Sequence, residues 1–186
     1  MSNNEEIIKE GYTRVSSILS QWDRFGKIPR HILENKQQIG TLIHEAINAH
    51  SIGAFLPVDS SIDGYFQSFL EWQKLSKFNL IFPEQRFYCD KLKITGKIDA
   101  IAVSSQGELF LIDYKTSASK DARMWQLQGC FYHYLATINK LNLSKRFFFV
   151  QLFKDGSPGQ AHEFFISNPI ANVCKAALLS YRYLNN

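Results

Sequence analysis

The stretch that most constrains this chain runs from Gly96 to Lys115. It reads Gly-Lys-Ile-Asp-Ala-Ile-Ala-Val, a polar turn at Ser104-Ser105-Gln106-Gly107, then Glu-Leu-Phe-Leu-Ile-Asp-Tyr-Lys. Leu109 to Ile112 is a short apolar run of the kind a strand buried on both faces shows, yet it ends in Asp113, Tyr114 and Lys115. Lys93 to Val103 reads as its partner, which makes an antiparallel hairpin. Strand side chains alternate faces, so Asp113 and Lys115 project together and Tyr114 projects the other way, into packing. With Val103 facing Leu109, Asp99 stands opposite Asp113. A slip of one residue would separate the two carboxylates onto different faces.

Two carboxylates facing each other across strands repel, and burying either one unpaired costs several kcal/mol or so. A positive charge must therefore sit between them. Lys115 supplies one, and two carboxylates at the end of a sheet also make a hard oxygen site suited to Mg²⁺ or Mn²⁺. An internal Asp113–Lys115 ion pair with a solvated Asp99 accounts for the same residues, and the residues alone leave both readings open.

The chain has 186 residues, 45% hydrophobic and 20% charged. That is enough for one good core, and a single domain over residues 1–186 is expected. Met1 to Glu10 is polar and acidic, unlike a signal peptide, and no stretch is long and apolar enough to span a membrane. Cys89, Cys130 and Cys174 are widely spaced and odd in number, which excludes a Cys-x-x-Cys zinc site and argues against a disulfide framework. A reducing, cytoplasmic setting follows. The formal charge of +4 is compatible with a polyanionic partner without arguing for one.

Helices are expected over Thr13–Trp22, Lys36–His50, Ser61–Lys77, Asp121–Ile138 and Pro169–Leu184, with a break at Gly26–Pro29 after the first. Further strands are expected over Leu80–Tyr88, Arg146–Phe153 and His162–Ile166. This order gives an α/β domain with a central mixed sheet flanked by helices. In the second helix Gln37, Thr41, His44 and Asn48 share a polar flank beside an apolar stripe. Periodicity alone makes His44 a surface histidine. Glu84 follows Pro83 in the first strand, where a surface Glu is an ordinary finding. The aromatics of Ser61–Lys77 read as core, and Arg14, Arg24, Lys27 and Arg30 read either as a solvated face or as contacts for phosphates. Ser117 or Ser119 is available to cap the fourth helix. Gln128 lies at the edge of that helix's apolar stripe with Tyr132 one turn on, so it needs a hydrogen-bonding partner.

Gly96-x-x-Asp99 followed by Asp113-x-Lys115 after an apolar strand resembles the core of the PD-(D/E)XK nuclease superfamily. Within it, Gly40-Thr41-Leu42-Ile43-His44 upstream and Gln128-Gly129-Cys130-Phe131-Tyr132 downstream resemble the RecB-like exonuclease group. The likeness covers roughly Ile39 to Leu135. It implies that His44, Asp99 and Asp113 hold Mg²⁺ or Mn²⁺, with Glu84 a secondary candidate, and that Lys115 positions the attacking water. Gln128 and Tyr132 would organise the site around the substrate. Some members of the group carry a four-cysteine iron-sulfur cluster, which three scattered cysteines cannot supply. The resemblance further implies an exonuclease acting on single-stranded or duplex DNA ends, in replication, recombination or repair. Its setting would be a bacterial or phage cytoplasm or an organelle, with a recruiting protein or a homo-oligomer as possible partners. A catalytically silent binding module of the same fold and an endonuclease are the competing readings.

Overall fold

The computed structural model describes residues 8–22 and 29–185. Among them the chain runs β1 (Thr13–Arg14), α1 (Val15–Ser20), α2 (Arg30–Ser51), α3 (Asp63–Leu75), β2 (Asn79–Phe82), β3 (Gln85–Cys89), β4 (Ile94–Ile98), β5 (Ala100–Val103), β6 (Leu109–Lys115), α4 (Ala122–Ile138), β7 (Leu143–Gln151), β8 (Gln160–Phe165) and α5 (Asn168–Asn185). The expected break at Gly26–Pro29 and the basic residues Arg24 and Lys27 fall largely or wholly outside the described residues. Arg30 pairs with Glu34 one turn on, in solvent.

The strands form a five-stranded mixed sheet, β2-β5-β6-β7-β8, and a smaller one, β1-β4-β3. The parallel pair β6–β7 is connected through α4, and every other pair of the larger sheet is antiparallel. Alternation along β6 sorts the core into two layers. Leu111 packs with α1, α4 and α5 through Leu19, Phe131 and Leu178, while Phe110, Ile112 and Tyr114 pack with α2 and α3 through Ile43, Phe69 and Trp72. Tyr114 is buried edge-on against Phe69 and Trp72, as expected of a residue on the face away from Asp113.

Two expected strands are each broken in the middle. Leu80–Tyr88 divides into β2 and β3 around Pro83 and Glu84, and Lys93–Val103 divides into β4 and β5 at Asp99. Pro83 has no N–H to give a ladder, which accounts for the first break. The opposing strand turns at the same level. The flanking pairs Phe82↔Ile101 and Gln85↔Ile98 place Glu84 directly across from Asp99. One long hairpin is thus bent, and its halves are shared between the two sheets.

α4 bridges both sheets. A Cβ added to Gly96 on β4 would lie 2.7 Å from the Tyr132 ring, and one added to Gly129 would lie 2.1 Å from Phe147. These glycines let α4 approach the strands closely. The α4 cap is Asp121, which accepts from the Met124 N–H at 3.2 Å, rather than Ser117 or Ser119. α2 starts at Arg30, well before Lys36, because Pro29 sits in front of the first turn, whose amides Ile32 and Leu33 bond back to its carbonyl.

Candidate functional site

The register Val103↔Leu109 continues to Ala100↔Ile112, so the next step brings Asp99 and Asp113 together as the alternation requires. Asp99 itself leaves the ladder. Its Oδ2 accepts the Tyr114 N–H at 2.8 Å, which satisfies an amide at the end of β6 that has lost its strand partner. Its Oδ1 lies 3.0 Å from His44 Nδ1, delivered by α2. Lys115 Nζ stands 2.5 Å from Asp113 Oδ1. That ammonium is the one partner shown for Oδ1 among the described residues, inside a side chain only 2% exposed.

His44, Glu84 and Asp99 each offer one ligand atom, and those atoms all lie within 4.8 Å of one another. Asp113 stands outside that triangle, engaged with Lys115, though close enough to Asp99 to feel its charge. The donor set is one imidazole nitrogen and two carboxylates, with the under-bonded Asp113 oxygen adjacent, and it fits a small divalent cation. Glu84, a secondary candidate on sequence grounds, therefore ranks beside His44 and Asp99. It is tied to Lys97, whose Nζ is 2.6 Å from Glu84 Oε1.

The electrostatics point the same way. Burial, with the neighbouring Asp99 charge, pushes the Asp113 carboxyl up to about 7 against the pull of Lys115. Burial also opposes charge on Asp99, but the charge and hydrogen bond of His44 outweigh it and hold Asp99 below its ordinary value. His44 shifts up for the reciprocal reason: burial lowers it, and Asp99 more than compensates. The site concentrates negative charge that its own side chains only partly neutralise.

Gln128 Nε2 donates to Tyr132 Oη at 2.8 Å, one turn along α4. Among the described residues its hydrogen-bonding partner is thus Tyr132. The pair meets the central hairpin through the Tyr132 ring packed over Gly96, three residues before Asp99. Lys97 was not singled out by sequence reasoning. Strand alternation, which puts Lys97 and Asp99 on one side of their strand, was the available signal. Cys174 on α5 donates its Sγ–H to the Leu127 carbonyl of α4 at 3.6 Å, and with Cys130 it lines a largely apolar pocket between the two helices.

Acidic residues and a lysine thus converge at the end of a central β-hairpin. The chain belongs to the PD-(D/E)XK nuclease superfamily, whose family model matches residues 58–172. That match includes Glu84, Asp99, Asp113, Lys115, Gln128 and Tyr132 and leaves out His44. The protein is thus a nuclease, a hydrolase acting on nucleic acid, from a superfamily that uses divalent metal ions. No curated protein sequence matches it. Among solved structures, one from Eubacterium rectale, provisionally named an exonuclease, is 12% identical with a TM-score of 0.55 and covers 96% of this chain and 83% of its own. The crystal structure of SSO0001 is 17% identical with a TM-score of 0.48, covering 97% of this chain and 79% of its own. The likeness to the Eubacterium rectale structure bears on the fold alone. No helix among the described residues is long and apolar enough to cross a membrane.

Proposed function

We propose that this chain is a Mg²⁺- or Mn²⁺-dependent deoxyribonuclease of the RecB-like group that works as a single domain and degrades DNA from its ends. The observation that carries the reading is the convergence of His44, Glu84 and Asp99 on one small volume beside the Asp113–Lys115 pair. In the proposed roles His44, Glu84 and Asp99 hold the cation, with Asp113 as a further ligand. A bound divalent cation supplies Lewis acidity and lowers the pKa of a coordinated water. Lys115 presents an ammonium at the open edge of the same site. There it orients the attacking water and stabilises charge growing on the phosphate, a contribution of roughly 3 to 4 kcal/mol at comparable sites. Gln128 and Tyr132 hold α4 against β4, so the acids keep their spacing when substrate enters.

Exonuclease action is favoured because the sequence pattern of His44 together with Gln128-x-x-x-Tyr132 resembles that of end-dependent enzymes. DNA is favoured over RNA on the same resemblance. The test uses end-labelled linear DNA, single- and double-stranded, beside a closed circle, with Mg²⁺, Mn²⁺ or chelator, for the wild type and Lys115→Ala. Metal-dependent shortening of the linear DNA, lost in Lys115→Ala, with the circle intact, is the expected result. Cutting of the circle makes the enzyme an endonuclease. DNA binding without cleavage under any metal leaves a silent binding module.

A further inference from the structure

The roles given to the ligands and to Lys115 leave Lys97 without a task. Lys97 lies on β4 directly across from Arg86, and its ammonium is 2.6 Å from Glu84 Oε1. That carboxylate is one corner of the triangle with His44 and Asp99. A monovalent charge therefore sits on a carboxylate that a divalent cation would share. The other acids are engaged too, Asp99 by His44 and Asp113 by Lys115. Lys97 differs from Lys115 in its surroundings. Its side chain is 39% exposed and that of Glu84 is 18% exposed, against 22% for Lys115 and 2% for Asp113. The Lys97–Glu84 pair can open without disturbing the core, and a lysine's four-carbon stem lets the released ammonium swing several ångströms.

We propose that Lys97 occupies two positions in turn. Without a cation it closes the site by pairing with Glu84; once a divalent cation takes Glu84, it turns outward and binds a phosphate oxygen of the nucleic-acid backbone beside the bond to be cut. This rests on the metal-dependent nuclease reading and adds a substrate contact to it. The exchange follows from charge. A divalent cation that takes Glu84 Oε1 displaces the ammonium from that oxygen, and a phosphodiester is the nearest anion the reaction brings. Were the ion pair only a brace that aims Glu84 at the metal, removing Lys97 would weaken metal binding. The two roles thus predict opposite signs.

Mn²⁺ binding is measured by calorimetry on the full chain without nucleic acid, for the wild type, Lys97→Met and Lys97→Arg. Binding to a short DNA duplex is then followed against salt, and kcat and KM are separated. Lys97→Met is expected to bind Mn²⁺ about three- to tenfold more tightly and to lower the slope of log affinity for DNA against log salt by about one. It is expected to raise KM more than it lowers kcat, with Lys97→Arg restoring the DNA terms. Glu84→Gln, which frees Lys97 permanently, is expected to bind DNA more tightly than the wild type in chelator. Weaker Mn²⁺ binding by Lys97→Met overturns the proposal in favour of the brace, and an unchanged salt slope overturns its phosphate half. A wild type that binds no Mn²⁺ defeats the nuclease reading itself, an outcome distinct from any difference between variants.

Discussion

Glu84 faces Asp99 across a break that interrupts both strands of the bent hairpin at one level. Neither residue takes part in a strand ladder, and their like charges are relieved by Lys97 on one side and His44 on the other. A cation shared by the two is expected to fasten the hairpin halves together. Saturating Mn²⁺ should raise the melting temperature, with stabilisation of about 2.7 kcal/mol at a hundredfold excess over Kd. Glu84→Gln and His44→Ala should each cut that shift sharply, with the metal-free melting point nearly unchanged in Glu84→Gln and lowered in His44→Ala, which leaves the buried Asp99 without its partner. Melting curves with Mn²⁺ and with chelator check this, and an equal shift in both variants would remove these residues from the ligand set.

Metal-free protein is expected to lose stability as pH rises. Asp113 binds its proton up to about 7, against an ordinary 3.8, so the folded chain holds more protons than the unfolded one across that window. The Asp113 contribution is therefore full below about pH 4 and gone above about pH 7. His44, held above 6.5, adds a term lost as pH rises through its folded value. Asp99, held low, acts in the opposite sense and only in acid, below 3.8. Thermal melts in chelator from about pH 5 to pH 8 should fall steadily, and Asp113→Asn should flatten the part below pH 7. A level wild-type profile would contradict the assignment.

Lys115 and Asp113 should prove strongly coupled in stability. Removing Lys115 alone leaves a buried carboxylate without its partner, a loss of about 3 to 5 kcal/mol when the carboxylate stays charged and less when it protonates. Lys115→Met with Asp113→Asn should be more stable than Lys115→Met alone at pH 8. Urea unfolding of the four proteins of that cycle gives the coupling energy, and additive losses would mean the pair is not the contact described.

Gly96→Ala tests the packing of α4 on β4. The new methyl would meet the Tyr132 ring at 2.7 Å and Leu135 at 2.9 Å, so a loss of about 1 to 3 kcal/mol is expected. Gln128→Ala should cost less, about 0.5 to 1.5 kcal/mol, because it only strips Tyr132 Oη of its partner. Nuclease activity per folded molecule should fall further in Gly96→Ala, since the displaced helix moves against the strand that leads into Asp99.

Much of the site was legible in the sequence because β-strand alternation is rigid. Once Val103 was set against Leu109, the sharing of a face by Asp99 and Asp113 followed, as did the burial of Tyr114 on the other side. The bend was not legible. Pro83 announced a weak point in one strand, but nothing near Asp99 marks a break in the other, because that break is imposed by pairing to Pro83 and Glu84 and not by local propensity. The Lys97–Glu84 pair was hidden for the same reason. Assigning both residues to unbroken strands gave no cause to set Glu84 across from Asp99. The cap of α4 was misplaced by two to four residues because Ser117, Ser119 and Asp121 are all competent acceptors, and only the path of the chain after Lys115 selects among them.

The hydrogen bond from Tyr114 N–H to Asp99 has a consequence for how this fold can fall silent. Asp99 stands in for the backbone carbonyl that a continuous strand would have offered, so it is mortar as well as chemistry. Replacing it to make an inactive enzyme also leaves a main-chain amide unpaired at the edge of the sheet, so such a variant is a poor control for catalysis alone. Lys97 and His44 anchor no strand, and a descendant that gave up cleavage while keeping its shape would shed them more cheaply than Asp99.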